Sequence, residues 1–229
     1  MIGIIYGALC CLAQTDMKRL IAFSSVAHMG YVMLAIATLT PFGINAAIFG
    51  MVAHGLITGM LFFVAGSTKE RYHTLEMSRL GGLLKQAPRM GWILGLAAMA
   101  SLGLPGLAGF WGEFPAILSA YSPENPEYVT VLGIDNLVLF RIFMVVAAVG
   151  TVFAAGYLLF MYQRVAFGSP HAEFEHEAIA DVNRFEWVAW VPMLVLIVAL
   201  GVYPNLIFSV SDPSVVEVYG QVAAGVGGG

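Results

Sequence analysis

The sequence predicts an all-α fold: a polytopic transmembrane helix bundle of about six spans, with one helix broken at Pro105. Three observations carry this. Hydrophobic residues make up 59% of the 229 and charged residues only 10%, with a mean hydropathy of +0.84. A soluble domain carries about 25% charged residues. A chain this apolar has too few polar groups to cover a water-facing surface, so lipid must serve as its solvent. Apolar runs of the length a helix needs to cross a bilayer recur along the chain, and its basic residues gather between alternate runs.

The runs are taken in order. Ile2–Ala13 is short for a span and starts at Met1 without the charged segment of a signal peptide. It reads as the end of a helix whose beginning is absent, so the chain is expected to be the C-terminal piece of a longer protein or the product of a shortened gene. Cys10 and Cys11 sit side by side inside this run. Adjacent cysteines pair only with strain, so both are read as small buried residues. Leu20–Thr40 and Ala46–Ser67 each fit one span and hold one histidine apiece. Met90–Tyr121 is long for one span and short for two, and Leu104-Pro105-Gly106 breaks it near its middle. A single broken helix is preferred over a simple proline kink or two helices joined by a tight turn. Leu137–Tyr162 fits one span with Arg141 near its start, and Val188–Phe208 fits another. Residues 1–209 are thus read as the membrane domain. Residues 210–229 are read as a Gly-rich tail, loosely ordered as chain ends commonly are.

Charge orients the bundle. Lys18 and Arg19 lie between the first two runs. Lys69, Arg71, Arg79, Lys85 and Arg89 lie between the third and fourth, and Arg164 and Arg184 between the fifth and sixth. The opposite loops hold only Arg141, beside Glu124, Glu127 and Asp135. Basic residues stay on the cytoplasmic side. The three basic loops are expected to be cytoplasmic and the C-terminus outside. The net charge of −4 argues against nucleic-acid binding.

Ionisable groups inside spans are expensive, which makes them informative. His28 and His54 sit near the middle of the second and third runs, and Glu113 follows the break in the fourth. Three such residues on neighbouring segments suggest a shared path. Histidine titrates near neutrality, so groups of this kind take up and release protons at physiological pH, with water chains spanning the longer gaps. A neutral packing histidine and a buried neutral carboxylic acid are the plainer alternatives. The break itself, Gly103-Leu104-Pro105-Gly106-Leu107-Ala108-Gly109, frees backbone groups, because proline lacks a donor and clashes with the preceding turn. At membrane depth such groups must be buried in protein or line a watery cavity, and broken helices recur at ion sites of transporters. Gly112 is expected to leave room for water beside Glu113.

Weaker candidates surround these. Ser24 and Ser25 stand four and three residues before His28 on its helix face and are expected to bond it or a water. Lys18 and Arg19 mark a helix start, a solvated end by default. Asp16, with Thr15 beside it, reads as a helix cap. His73 falls in a loop. So do His171 and His176, which sit amid Glu173, Glu175 and Glu177 and are not favoured as a metal site. There is no phosphate-binding glycine loop, no CxxC pair and no triad pattern, so no redox-cofactor site is expected in this chain.

Several stretches carry a specific resemblance. The first is Gln14-Thr15-Asp16-Met17-Lys18-Arg19-Leu20-Ile21-Ala22-Phe23-Ser24-Ser25-Val26-Ala27-His28-Met29-Gly30-Tyr31. With Ala53-His54-Gly55-Leu56, Ser101-Leu102-Gly103-Leu104-Pro105-Gly106, Gly109-Phe110-Trp111-Gly112-Glu113-Phe114 and Gln163-Arg164-Val165-Ala166-Phe167-Gly168, it resembles the antiporter-like subunits of respiratory complex I. The likeness runs from Gly7 to about Phe208. Glu113 points to the M type, because the L type and the multisubunit cation antiporters usually carry lysine in this broken helix. The resemblance implies a fold of fourteen spans built on two inverted five-helix repeats, in which the six runs are the ninth to fourteenth and the broken twelfth falls at Pro105. It implies that His28 and His54 are relay residues of a central hydrophilic axis and Glu113 the terminal residue of an outward half-channel, with Ser24, Ser25, Lys18, Pro105 and Gly106 in support. The family's other half-channel uses a glutamate and two lysines of spans five, seven and eight, which lie outside this sequence.

For function, the resemblance implies a proton-translocating membrane subunit of an NADH:quinone oxidoreductase, a translocase. FMN, Fe–S clusters and quinone are expected in other subunits. The expected neighbours are the L-type and N-type antiporter-like subunits of the membrane arm and the lipid bilayer, and the expected location is a bacterial inner membrane. The alternatives are a subunit of a multisubunit Na+/H+ antiporter and a truncated membrane piece that only packs.

Overall fold

The computed structural model describes residues 1–123 and 135–227, with backbone alone over 222–227. Glu124 and Glu127 lie outside the described residues. Nine helices and no strand occur among them: α1 Ile2–Leu12, α2 Met17–Ala37, α3 Pro41–Tyr72, α4 Leu83–Gln86, α5 Pro88–Ser101, α6 Ala108–Ser119, α7 Asn136–Ala166, α8 Arg184–Val202 and α9 Asn205–Gly227. Helices α2, α3, α7 and α8 are each long and apolar enough to cross a membrane. The expected broken span is the pair α5 and α6. The chain is a multi-pass helical membrane protein.

Local chemistry sets the helix ends. Asp16 caps α2 as expected, its Oδ1 accepting the Arg19 N–H at 2.9 Å. Thr40 Oγ1 accepts from Gly43 N–H at 2.9 Å ahead of Pro41, a proline placed where its missing donor costs nothing. His73 ends α3 in the left-handed conformation, φ 52. Asn183 and Glu186 close a reciprocal capping box on α8.

The break between α5 and α6 is a change of hydrogen-bond register. Leu102 still donates to Ala98 O at 3.0 Å, but Gly103 donates to Ala100 O and Leu107 to Leu104 O, three residues back. Gly103 and Gly106 take φ of 67° and 92°, values open to glycine and unfavourable to residues bearing a Cβ. Pro105 lies between them. The turn they make packs on α8: a Cβ on Gly201 would run into the Gly106 carbonyl and Leu107 Cα.

The three basic loops share one end of the bundle and are knitted together there. Met17 N–H donates to Leu75 O and Met77 N–H to Thr15 O, both at 2.9 Å. The segment after α7 then straps across that end. Arg71 forms a two-pronged ion pair with Glu186, at 2.7 and 2.9 Å, and donates to Ala180 O at 2.6 Å. Ser67 Oγ adds a 2.6 Å bond to the same carboxylate. Asp181 accepts the Arg89 and Met90 N–H groups at the start of α5, and Arg79 pairs with Glu173. Arg141, by contrast, stacks 4.8 Å over the Tyr121 ring on the far side of α6.

Three expectations change. The last apolar run does not form one helix through Phe208. It stops at Val202, because Pro204 has no N–H to give and biases the residue before it away from the helical region; Tyr203 sits at φ −127, ψ 73. The tail beyond it is not loose but helical to Gly227. It is fixed to the start of α3, where Asn45 donates to Asp212 Oδ1 at 2.8 Å and accepts from Ser211 Oγ at 2.6 Å. Of the cysteines, Cys11 is buried with its Sγ 3.4 Å from Leu20 O, whereas Cys10 is only partly covered.

Candidate functional site: a histidine–glutamate pair at the helix break

Small residues bring the helices close enough to build the site. At Gly50 of α3 and Gly112 of α6 the two backbones touch: a Cβ on Gly112 would lie 2.5 Å from Gly50 Cα. Glycine here permits close helix approach, as small residues do throughout membrane interiors. Gly112 and Glu113 both border a small cavity at this site. On the other flank of α2, Gly7 of α1 admits Ala27, the residue before His28, with a hypothetical Cβ only 2.8 Å from the Ala27 N.

The close approach aims Glu113 into the bundle. Its Oε1 lies 2.5 Å from His28 Nδ1, with side-chain exposures of 15% and 6%. Its Oε2 rests against Gly103, where a Cβ would come within 3.0 Å of it. The left-handed glycine that makes the break therefore also leaves the carboxylate its place. The His54 ring is tilted 44° to that of His28, with centroids 5.5 Å apart. Both rings border one small cavity. The Thr58 hydroxyl, one turn on along α3, sits 3.2 Å from both ring nitrogens of His54. A cavity of ≈ 30 Å³ is bounded by His28, His54, Glu113, Ser101 and Gly112 among others, enough for one or two water molecules.

The supporting residues divide. Pro105 and Gly106 belong to the break. Ser24 and Ser25 do not bond His28. Both turn back on their own helix to Ile21 O, at 2.7 and 3.4 Å, the local bond to which a helical serine commonly resorts. Lys18 is exposed in the first turn of α2, about 15 Å along the helix from His28 at the standard rise. The hydroxyls that do reach His28 come from elsewhere in the chain. Ser101 Oγ, on the last residue of α5, is 3.2 Å from His28 Nε2, and Tyr157 OH, from α7, is 3.5 Å from it. Their nearest sequence signal is that Ser101 directly precedes the Gly103–Gly109 break. Among the described residues no group of three or more His, Cys, Asp or Glu could hold a metal ion; the His171 ring lies 3.9 Å from the Glu173 carboxylate.

Comparison with known proteins shows the family. The family described as NADH:quinone oxidoreductase/Mrp antiporter, TM, matches residues 1–138. NAD(P)H-quinone oxidoreductase chain 4 1 of Nostoc sp. is 37% identical over 223 residues, 95% of this chain and 39% of the relative. NADH-quinone oxidoreductase subunit M of Rhodobacter capsulatus is 37% identical over 226 residues, 99% of this chain and 41% of the relative. The chain therefore spans about two fifths of the length of the curated relatives it matches. Among solved structures, a chain of respiratory complex I from Thermus thermophilus with bound NADH superposes with a TM-score of 0.81 at 28% identity, covering 96% of this chain and 42% of that one. A chain of the Mrp complex from a Dietzia species shares the fold, with a TM-score of 0.77 at 19% identity, covering 95% and 45%. With a match over more than half its length and its helix break in place, this chain belongs to the NADH:quinone oxidoreductase/Mrp antiporter transmembrane family.

Proposed function

We propose that this chain carries the outward half of a proton path in a membrane-arm subunit of an NADH-quinone oxidoreductase. The observation behind this reading is the His28–Glu113 contact at a helix break, with the His54 ring beside it. An imidazole bonded to a carboxylate can pass a proton between them without separating charge over distance. A second imidazole and a water-sized cavity give that proton a way in. Glu113 is then the last group to hold the proton before it leaves. Redox chemistry, with its flavin, Fe–S clusters and quinone, belongs to other subunits, and L-type and N-type antiporter-like subunits are the neighbours in the membrane arm. A subunit of a multisubunit Na+/H+ antiporter is the second reading, favoured by the shared fold of the Mrp chain; the glutamate at position 113 speaks for the first.

Purification through an affinity tag on this chain, from its own membranes, separates the two. The expected product is an assembly that oxidises NADH and reduces quinone. An assembly that exchanges Na+ for H+ without oxidising NADH would replace this reading with the second.

Orientation in a bacterial inner membrane follows the basic residues: the strapped end inside, the C-terminus outside. Ser78 is exposed in the loop after α3 at that end. In spheroplasts, Ser78→Cys is expected to resist a membrane-impermeant maleimide and to react with it once the membrane is opened or inverted. The native chain, whose Cys10 and Cys11 lie within α1, is the control. Labelling in intact spheroplasts would reverse the topology.

A further inference from the structure

His28 meets a different kind of partner at each ring nitrogen. Nδ1 faces the Glu113 carboxylate at 2.5 Å, a group that only accepts when ionised. Nε2 faces two hydroxyls, Ser101 Oγ at 3.2 Å and Tyr157 OH at 3.5 Å. A neutral imidazole has one N–H, and the partner of one nitrogen decides where it sits. With the carboxylate at Nδ1, the proton is held there and Nε2 is left as an acceptor. A hydroxyl then donates to it. Ser101 is 5% exposed and Tyr157 fully buried, so bulk water does not compete for this nitrogen. The break positions the nearer hydroxyl: α5 ends at Ser101, and the turn at Gly103 begins two residues later.

We infer that the Ser101 hydroxyl, backed by Tyr157, holds His28 in its Nδ1–H tautomer and is the group through which protons pass into the His28–Glu113 pair. The inference rests on reading that pair as part of a proton path. Ser101 and His54 line the same cavity, so the donor to Ser101 is a protonated water in that cavity or the imidazolium of His54. The donor's O–H or N–H bond breaks as its proton bonds to a lone pair of Ser101 Oγ, leaving a neutral water or a neutral His54 ring. The O–H already aimed at His28 breaks as Nε2–H forms. His28 is now an imidazolium beside a carboxylate. Its Nδ1–H bond breaks as an O–H bond forms on Glu113, leaving a carboxylic acid and a neutral ring whose one proton is now on Nε2. One proton has crossed from the cavity to Glu113, and no electrons have been exchanged. Imidazole is suited to this because it receives at one nitrogen and releases at the other.

The test uses the whole complex, purified and reconstituted in liposomes with Ser101→Ala, Ser101→Thr, Tyr157→Phe, Ser101→Ala/Tyr157→Phe or Glu113→Gln. Subunit content is checked by gel, electron input with an artificial acceptor, and proton translocation with a pH-sensitive dye. Ser101→Ala is expected to slow translocation through this subunit about tenfold and the double variant about 100-fold, the lower range for loss of a positioned proton-transfer group. Ser101→Thr keeps the hydroxyl and is expected to restore the native rate, which a purely space-filling role would not allow. Native translocation in Ser101→Ala, or equal slowing in Ser101→Thr and Ser101→Ala, overturns the inference while a slow Glu113→Gln leaves the pair reading standing. A native rate in Glu113→Gln overturns the pair reading and this inference with it.

Discussion

Complexes carrying Glu113→Gln are expected to assemble normally and to reduce an artificial acceptor at the native rate, yet to lose proton translocation through this subunit. Glutamine has the size of glutamate and still offers a carbonyl oxygen to His28 Nδ1 across the 2.5 Å contact, so the fit against Gly103 and the packing of α6 are kept. What disappears is the ability to hold a proton. A correctly placed proton-transfer group contributes about 100-fold or more to a rate, so flow through this path should drop by about that factor. Pumping by the whole complex falls by the share this subunit carries. Glu113→Asp retains the acid but shortens the side chain by a methylene, which opens the contact to His28 and should leave partial activity. His28→Ala differs in kind, because it strands a largely buried carboxylate without its partner, and removing one member of a buried pair commonly destabilises by about 3–5 kcal/mol. The measurement is the ratio of protons moved to NADH oxidised in reconstituted complex of verified composition. A native ratio in the glutamine variant would leave Glu113 a structural residue.

The members of the pair and the break between α5 and α6 are legible in the sequence. An ionisable residue inside an apolar run is expensive in lipid, so few occur and each stands out, and Gly103, Pro105 and Gly106 together mark the break. His28, His54 and Glu113 are the only such side chains well inside the runs, and the structure brings all three to one cavity. Hydroxyls carry no such signal. Serines and tyrosines are frequent, cost little, and pair locally or distantly with equal ease. Ser24 has the right spacing to His28 but satisfies itself on Ile21 O, whereas Ser101 and Tyr157 reach the ring from 73 and 129 residues away. Only packing reveals them. The order of the tail is hidden for a related reason. Its terminal glycines suggest looseness, while the bonds from Ser211 and Asp212 to Asn45, 166 and 167 residues apart in the chain, are invisible without the fold. Pro204 is visible, but hydropathy averaged over Val188–Phe208 conceals its effect on the helix.

The site depends on the contact between α3 and α6 as much as on its acids, and two neighbouring glycines test this with opposite outcomes. The close approach of the two helices is asymmetric. A Cβ on Gly112 would point at backbone, 2.5 Å from Gly50 Cα and 3.1 Å from Gly50 N. Backbone of a packed helix cannot swing aside as a flexible side chain can, so the helices must separate. A Cβ on Gly50 would instead meet Val32 Cγ2 at 3.4 Å and Gly112 Cα at 3.5 Å, ordinary contact distances. Gly112→Ala is therefore expected to push α6 off α3, carrying the adjacent Glu113 away from His28. Overpacking a tight interior commonly destabilises by about 1–3 kcal/mol, and the displaced carboxylate should depress proton translocation as severely as Glu113→Gln does. Gly50→Ala, one methyl added at the same crossing, should assemble and pump nearly as the native chain. The two variants are compared by thermal stability of the purified complex and by translocation in liposomes. Equal behaviour of the pair, whether both tolerated or both damaging, would mean that the crossing does not hold Glu113 against His28, because only the direction of the added methyl distinguishes them.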